Sequence, residues 1–475
     1  MAEILSVGID IGTSTTQVIF SKISVDNTAS YFSAPRIAIV GKEILYKSAV
    51  HFTPLKSLTA LDGDGVRAIV AEEFRNAGCR PEDVDTGAVI ITGESARKEN
   101  AALVTEKLSA FAGEFVVSTA GPDLESVVAG KGSGAFAYSS ENECSVVNLD
   151  IGGGTTNICL FDNGETRGKC CFDIGGRLIK LGADGRIAYI APAAKRVADS
   201  IGVSLAVGDP AEERTLSRIT DKMAELLAAA VDRATPEPLL ERVRTEKSTR
   251  MPKVPQSAKL CFSGGVAECF YRPEPADPFR YGDIGVLLAR SLKKHPAFSG
   301  SDVIPAQETI RATVVGAGTY TTSLSGSTID YSPGVFPVKN VPALTLTAEE
   351  QAQCLADGGA ALAGTVRWFR EQSDSELLIL ALPGLKDPTY GEIRALAHAV
   401  AAATEHTLPK DVPVLAVVEE DIAKALGIAL KPLLNGRRYA VIDSVKVEAG
   451  DYVDIGRPLM DGLVVPVIVK TLLFG

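Results

Sequence analysis

The sequence predicts an α/β protein that contains a duplicated lobe followed by a C-terminal α/β domain. GIDIGTSTTQVIF (8–20) and NLDIGGGTTNICLF (148–161) both read as an apolar strand, Asp-Ile-Gly, a Gly/Thr turn and a second apolar strand. The same motif at two widely separated positions indicates a duplicated domain rather than a short solenoid repeat. The signature does not recur after Pro333, where strand and helix patterns alternate. We therefore expect two related lobes and one unrelated unit.

Composition limits the class of protein. The 475 residues, of which 46% are hydrophobic and 23% charged, predict two to four globular units. A net charge of -11 argues against nucleic acid and anionic membranes as partners. No apolar run approaches the ~20 residues of a membrane span, and the first residues lack the pattern of a signal peptide. The eight cysteines include no C-x-x-C, so we expect a cytoplasmic protein with reduced, mostly buried thiols.

Hydrophobic periodicity places the elements of the first lobe in order. After the opening strand, turn and strand at 4–20, the pattern predicts strands at 36–40, 88–92 and 115–117, and helices at 65–78, 100–112 and from about 124. The spacing of Val66, Val70 and Phe74 predicts one buried face on the 65–78 helix.

The second lobe repeats the hairpin at 145–161 and continues differently. Asp209 and Pro210 predict the N-cap and first turn of a helix through about Arg233. The pattern then predicts a loop at 245–255, a strand, double glycine and helix start at 259–270, and a small-residue helix at 311–324. The C-terminal part predicts elements at 375–382, 390–403, 412–418 and 420–430, and several strands within 439–474. Trp368 is expected in the core.

The two glycine-rich turns predict a phosphate site. Glycine has no Cβ, so backbone N–H groups can approach an anion closely, and the hydroxyls of a Gly/Thr turn add donors. Asp10 and Asp150, just before the turns, would repel phosphate and are better suited to Mg²⁺ or its water shell. A single turn of this kind is equally well interpreted as a plain hairpin turn. The second copy favours the phosphate interpretation.

These motifs resemble those of the actin, Hsp70 and sugar-kinase superfamily. Residues 10–13 are similar to its first phosphate motif, 150–155 to its second and 263–267 to its adenosine motif, while the helices after Pro122 and around 315–320 resemble its two connecting segments. The resemblance implies an actin-like ATPase fold with duplicated ribonuclease-H-like lobes, and ATP and Mg²⁺ as cofactors. It implies lobe I at 1–129 with 310–329, lobe II at 130–309 and a C-terminal α/β domain at 330–475.

The resemblance also implies the roles of individual residues. Asp10, Asp150 and Asp173 are expected at the metal; Asp173 could instead orient the attacking water, and an Asx turn explains it equally well. Asp123 is expected to orient the attacking water, with Glu125 as the alternative on the same helix. The residues expected to bind the nucleotide are Gly12, Thr13, Ser14, Thr15, Thr16, Gly152, Gly153, Gly154, Thr155, Thr156, Gly175, Gly176, Gly264 and Gly265.

Within the superfamily the chain resembles the reactivating factors of ethanolamine ammonia-lyase. The resemblance runs the whole chain and includes CCFDIGGRLI (170–179) and GDYVDIGRPLMDGLVVPVIVKTLLF (450–474). It implies an ATP-dependent, chaperone-like factor that acts on this adenosylcobalamin enzyme and releases damaged cobalamin so that intact cofactor can bind. The C-terminal domain and residues 29–64 are the expected partner surfaces. A homodimer and association with a bacterial microcompartment stay open.

Other functions of the same fold remain alternatives. A small-molecule kinase needs a carboxylate within reach of an acceptor hydroxyl, and no motif of that kind accompanies the adenosine segment. A filament-forming protein and a hydantoinase- or oxoprolinase-like ATPase would use the same turns. The sequence therefore predicts a nucleotide-binding site more directly than the function that this site serves.

Overall fold

The structure is a computed structural model. It describes residues 2–12, 15–28, 37–57, 60–92, 100, 104, 108, 116–119, 122–246, 248–273, 275–300, 302–320, 323–326, 328–372 and 375–471. Within these residues, no helix combines the length and apolarity that a membrane crossing requires. All eight cysteines are free thiols, as expected, and six of them are buried.

The first sheet holds the opening hairpin at its centre. Its strands have the order β3-β2-β1-β7-β8; β2 is antiparallel to β1 and β3, while β7 is parallel to β1. Alternate apolar side chains of the hairpin pack against helix α1, through residues such as Val70 and Phe74. The elements are β1 (Ala2–Ile11), β2 (Thr15–Asn27), β3 (Ile37–Lys47), β4 (His51–Phe52), β5 (Leu55–Ser57), β6 (Ala60–Leu61), α1 (Gly63–Ala77), β7 (Thr86–Ile91) and β8 (Val116–Thr119).

The second sheet repeats this arrangement. Its order is β11-β10-β9-β14, with β10 antiparallel to β9 and β11, and β14 parallel to β9. The elements are α2 (Pro122–Gly132), α3 (Ala135–Glu141), β9 (Ser145–Ile151), β10 (Thr156–Asp162), β11 (Glu165–Phe172), β12 (Ile179–Leu181), β13 (Ile187–Ile190), α4 (Pro192–Ser200), α5 (Glu213–Ala230), α6 (Pro238–Arg242), β14 (Lys259–Ser263), α7 (Gly265–Tyr271), α8 (Gly285–Lys294) and α9 (Ala312–Tyr320). The shared topology confirms the predicted duplication and fold class.

The connecting helices α2 and α9 pack backbone against backbone. A Cβ on Gly132 would lie 1.9 Å from the carbonyl oxygen of Ala312, and one on Gly316 would lie 2.0 Å from that of Val128. Only glycine permits this approach. The small residues that suggested two connecting segments therefore allow the helices to touch where the lobes join.

The third sheet forms the C-terminal unit. Its order is β15-β22-β21-β17-β18-β19-β20-β16, with β17 to β20 parallel. One face packs against helices and the other forms a second apolar core. The elements are β15 (Ser323–Leu324), β16 (Asp330–Tyr331), β17 (Val338–Thr345), α10 (Ala348–Ala356), α11 (Ala360–Gln372), β18 (Ile379–Leu382), α12 (Tyr390–Glu405), β19 (Val414–Val418), α13 (Ala423–Leu430), β20 (Tyr439–Asp443), β21 (Asp451–Ile455) and β22 (Pro466–Thr471).

Three expectations differ from the structure. Helix α5 begins at Glu213, because the Asp209 carboxylate accepts from the N–H of Ala206 (2.8 Å) and closes the preceding turn instead of capping the helix. Trp368 is not a core residue, since 60% of its surface is exposed. Strand β15 pairs with β22, so its two residues join the C-terminal sheet although the sequence assigns them to lobe I. The domain boundaries as a whole stay a prediction.

Candidate active site

The turns of the two hairpins open into one cavity. It has a volume of about 550 Å³, within the range of ligand pockets. Its lining residues come from the first hairpin, the second hairpin, the start of α7 and the segment before α8. Both copies of the repeated motif therefore line a single site.

Asp10 and Asp150 are buried acids that line this cavity, and they are 7% and 5% exposed. Thr92 donates its hydroxyl hydrogen bond to Asp10 Oδ1 (3.1 Å), and Ser263 donates to Asp150 Oδ1 (2.6 Å). Burial raises the pKa of Asp10 to about 7, with a further contribution from the charge of Asp150, and burial raises the pKa of Asp150 to about 6. Two buried carboxylates with raised pKa values that line one cavity are suited to share a cation.

The two turns have matching backbone geometry. The N–H of Gly12 donates to the carbonyl oxygen of Thr15 (2.8 Å), and the N–H of Gly152 donates to that of Thr155 (2.9 Å). The strand register is equivalent as well, because Asp10 lies opposite Gln17 in one hairpin and Asp150 lies opposite Asn157 in the other. The repeated sequence thus produces a repeated structure.

Most of the described residues that the sequence assigns to the nucleotide line the cavity. These are Gly12, Thr15, Gly152, Gly153, Gly154, Thr155, Gly176, Gly264 and Gly265. Gly264 has φ +86°, and a Cβ there would lie 2.4 Å from the carbonyl oxygen of Ile151, so the turn into α7 requires glycine. Thr13 and Ser14 lie outside the described residues.

Three other predicted nucleotide residues do not line the cavity. Thr16 shares a hydrogen bond with Thr53 (3.1 Å), and Thr156 donates to the carbonyl oxygen of Ile174 (2.7 Å). Both hydroxyls point away because side chains alternate across a strand. Gly175 lies beneath the second turn, where a Cβ would be 2.4 Å from the carbonyl oxygen of Gly153. These residues support the turns from behind.

The predicted acids separate into two groups. Glu125, the alternative on helix α2, is 7% exposed and lines the cavity. Asp123 lies in the same helix, but its side chain is outside what the structure describes. Asp173 is not among the lining residues, and its Oδ1 accepts from the hydroxyl of Thr245 (2.8 Å). Roles for Asp123 and Asp173 stay predictions.

Comparison with models of known protein families assigns the whole chain to a family. The model of the family described as "Ethanolamine utilisation protein EutA" matches residues 2–475. The chain belongs to this family. Membership covers the C-terminal unit as well as both lobes.

Two curated relatives of the family share the whole length of the chain. The proteins named "Ethanolamine ammonia-lyase reactivase EutA" from Salmonella typhimurium and Escherichia coli are each 40% identical, over 476 and 479 residues, and cover 99% of both chains. Among solved structures, the PPX-GPPA enzyme of Aquifex aeolicus is 17% identical with a TM-score of 0.37, covering 67% of this chain and 90% of that one. The assignment to the EutA family therefore follows from the whole-chain matches.

Sequence reasoning missed two buried amides in the hairpins of this EutA-family protein, one of which lines the cavity. Gln17 lines the cavity, where its Nε2 donates to the carbonyl oxygen of Ile310 (3.2 Å), and Asn157 is 1% exposed. Within the described residues, Gln17 Oε1 and Asn157 Oδ1 are buried without a hydrogen-bond donor. Both occupy the position seven residues after the aspartate of DIGTSTTQ and DIGGGTTN. Counting from the aspartates would have found them.

The wall nearest helix α8 was also missed. Arg177, Arg280, Tyr281 and Asp283 line the cavity there. Asp283 accepts from the N–H of Gly285 (2.9 Å), and Arg177 Nε lies 3.7 Å from its Oδ2. Burial raises the pKa of Asp283 to about 6, although the N–H of Gly285 and the charge of Arg177 oppose the shift. No sequence motif joins these residues, because Arg177 follows β11 whereas the other three precede α8, and only folding brings the two segments together.

The residues present fit Mg²⁺ and a nucleotide. Among the described residues, no three His, Cys, Asp or Glu side chains form a metal group. Two buried carboxylates beside two phosphate turns suit Mg²⁺, which retains several waters and takes other ligands from substrate phosphates. The amide oxygen of Gln17, which lines the cavity, is an acceptor that such waters could satisfy. The cavity is therefore equipped for a magnesium-bound polyphosphate.

Proposed function

We propose that this protein is an ATP-dependent reactivating factor for adenosylcobalamin-dependent ethanolamine ammonia-lyase, from which it releases damaged cobalamin so that intact cofactor can bind. The observation that carries the nucleotide part is the pair of equivalent turns, with Asp10 and Asp150, in one cavity. The choice of this lyase as the partner enzyme is supported by whole-chain similarity to proteins named as its reactivases.

The phosphates are held by the two turns. The backbone around Gly12 and Gly153 can approach the oxygens closely, and the hydroxyls of Thr15 and Thr155 add donors. Arg177 and Arg280 contribute positive charge farther along the cavity. The nucleoside would extend towards Gly264 and Gly265, where α7 begins.

Asp10 and Asp150 would hold the cation. When bound, Mg²⁺ neutralises charge on the phosphate oxygens and fixes their orientation. Thr92 and Ser263 each donate a hydrogen bond to one aspartate, which keeps the two carboxylates oriented towards the cavity. Ionised carboxylates are required, so proton release from the buried pair must accompany cation binding.

Glu125 and Gln17 are the residues that would position water. Both line the cavity, and both carry oxygen acceptors beside the phosphate turns. Phosphoryl transfer depends mainly on positioning and charge stabilisation, so an acceptor that orients water is sufficient. Asp123 and Asp173 stay as further predictions for this role.

Hydrolysis would act on the lyase through the angle between the lobes. ATP contacts both hairpins and so favours a closed arrangement, which is released after hydrolysis. A partner responds only if it binds the two arrangements with different affinity. We propose this difference in affinity as the source of the work on the lyase.

Reactivation of stalled lyase tests the proposal. Ethanolamine ammonia-lyase inactivated with hydroxocobalamin is mixed with the protein, Mg²⁺, free adenosylcobalamin and either ATP or no nucleotide, and ammonia production is followed. We expect activity to return only with ATP, and Asp10→Asn to give no recovery. Equal recovery without nucleotide would refute the ATP requirement. Stoichiometric phosphorylation of a metabolite would favour the kinase alternative.

Partner, oligomeric state and location belong to the same proposal. We propose ethanolamine ammonia-lyase as the partner; a homodimer and residence in the cytoplasm or with a microcompartment stay predictions. Sedimentation of the purified protein with and without ATP would determine the oligomeric state and would reveal filaments if they form.

A further inference from the structure

An apolar contact joins lobe I to the C-terminal unit at the end of the first hairpin remote from the phosphate turn. Ile4, Ile23 and Val25 are completely buried, and Leu324, Leu459 and Met460 pack against them. We call these six residues the seam. Ile4 lies six residues before Asp10 on β1, about 20 Å along an extended strand. The seam is therefore well separated from the cavity.

Lobe I and the C-terminal unit also meet beside the seam. Asp85 and Thr86 of lobe I face Asp454 and Pro466 of the C-terminal unit across a space of only about 20 Å³. A space of this size holds little more than one water molecule. Opening the contact would expose the buried side chains of the seam to water, which is unfavourable.

Beside the cavity, the contacts that link the first hairpin and residues 47–48 to the 308–311 segment, at the junction of the two lobes, are different in kind. Gln17 Nε2 donates to the carbonyl oxygen of Ile310 (3.2 Å), and Arg311 Nη2 donates to that of Ser48 (3.1 Å). Lys47 and Glu308 form an ion pair there. The 308–311 segment is tied to lobe II, because Gly264 N–H donates to Thr309 O (3.0 Å). Polar contacts of this kind can be exchanged for water at small net cost.

We propose that lobe I and the C-terminal unit move as one rigid body, and that nucleotide-driven closure moves lobe II against both. The inference rests on the proposed function for the closure itself. The apolar seam resists separation, whereas the polar contacts beside a cavity of about 550 Å³ permit it. A lyase molecule bound to the C-terminal unit would thus move together with lobe I.

Distances between spin labels test the inference. Glu82 in lobe I, Glu225 in lobe II and His406 in the C-terminal unit have exposed side chains (64%, 51% and 84%) and can be replaced by cysteine in pairs. The partly exposed Cys79 and Cys144 are first replaced by serine. We expect the 82–406 distance to be the same with ADP and with a non-hydrolysable ATP analogue, and the 82–225 and 225–406 distances to change.

Each outcome decides a different point. A nucleotide-dependent change in the 82–406 distance overturns the rigid body and leaves the proposed function intact. No change in any pair overturns both the inference and the proposed closure. Leu459→Ala removes part of the seam, so we expect a broader 82–406 distribution with unchanged ATP hydrolysis. An equally narrow distribution in this variant would show that the seam does not hold the two units together.

Discussion

Asp10 and Asp150 are buried acids whose ionised forms need a cation nearby. The repeated Asp-Ile-Gly motif predicts their pairing, and the structure places both in one cavity. Their raised pKa values have burial as the main cause, so the charged pair is unfavourable until positive charge arrives. The behaviour of these two residues gives the first predictions.

Asp150→Asn should lower the rate of ATP hydrolysis without lowering the thermal stability of the protein. The amide keeps the shape of the side chain but removes the negative charge, so Mg²⁺-dependent ATP hydrolysis is expected to fall by on the order of 10²-fold or more. The melting temperature without Mg²⁺ should stay the same or rise, because a buried charge is lost. Steady-state hydrolysis and thermal melting measure the two effects. Wild-type turnover in the variant would exclude Asp150 from the site.

Stability should depend on pH in opposite ways with and without Mg²⁺. Unfolded aspartate has a pKa near 3.8, while folded Asp10 and Asp150 have values of about 7 and 6. The folded state therefore holds extra protons, and their contribution to the free energy of unfolding falls as pH rises from about 4 to about 7. Mg²⁺ needs the ionised pair, so its stabilisation should grow over the same range. Melting scans that show an equal Mg²⁺ shift at about pH 5 and about pH 8 would contradict this linkage.

Neighbouring threonines provide a matched pair of variants. Thr155 lines the cavity, whereas the hydroxyl of Thr156 is bonded to the carbonyl oxygen of Ile174. Thr155→Val should weaken ATP binding with little change in stability. Thr156→Val should leave ATP affinity unchanged and destabilise the fold by about 1–3 kcal/mol, because a buried acceptor loses its donor. Calorimetric titration and denaturant unfolding distinguish the two, and reversed effects would disprove the assigned orientation.

At the scale of elements, each half of the site is a strand, a tight turn and a returning strand. The hairpins position their aspartates through strand register, and β14 contributes Ser263 to hold Asp150. Asn148 donates to the Ser263 hydroxyl (3.0 Å), so this second support is itself oriented by the neighbouring strand. Precision at the cavity thus depends on the sheets beneath it.

The turn between β14 and α7 should tolerate only one of two substitutions. Gly264→Ala would place a Cβ 2.4 Å from the carbonyl oxygen of Ile151 at φ +86°, so it should destabilise lobe II. Gly265→Ala meets no protein atom within 4 Å, so the fold should survive while the added methyl weakens nucleotide binding. Melting curves with and without ATP compare the variants. A stable Gly264→Ala protein would refute the close approach.

At the scale of the whole molecule, the sequence predicts what is repeated and local. The hairpins, their aspartates and the glycine pair at Gly264 follow from motifs that each occupy a few consecutive residues. The fold class and family resemblance are confirmed as well. A motif made of consecutive residues can be recognised in a sequence before the fold is known.

Residues brought together by tertiary packing were harder to predict. The sequence favoured Asp123 over Glu125; Glu125 lines the cavity, and the side chain of Asp123 lies outside the described residues. Tyr281 and Asp283 line the cavity although they belong to no motif that the sequence shows. Trp368 is exposed although its side chain is largely apolar. Periodicity predicts a helix face, but it does not specify which neighbour that face meets.

Release of damaged cobalamin is the measurement that tests the central claim most directly. Lyase loaded with hydroxocobalamin is incubated with the protein, Mg²⁺ and ATP, small molecules are separated, and free cobalamin is measured by its absorbance. The two-hairpin site predicts release with wild-type protein and ATP, and none with Asp150→Asn or without nucleotide. Release that proceeds equally with Asp150→Asn would contradict the claim that the paired aspartates drive this protein's action on the lyase.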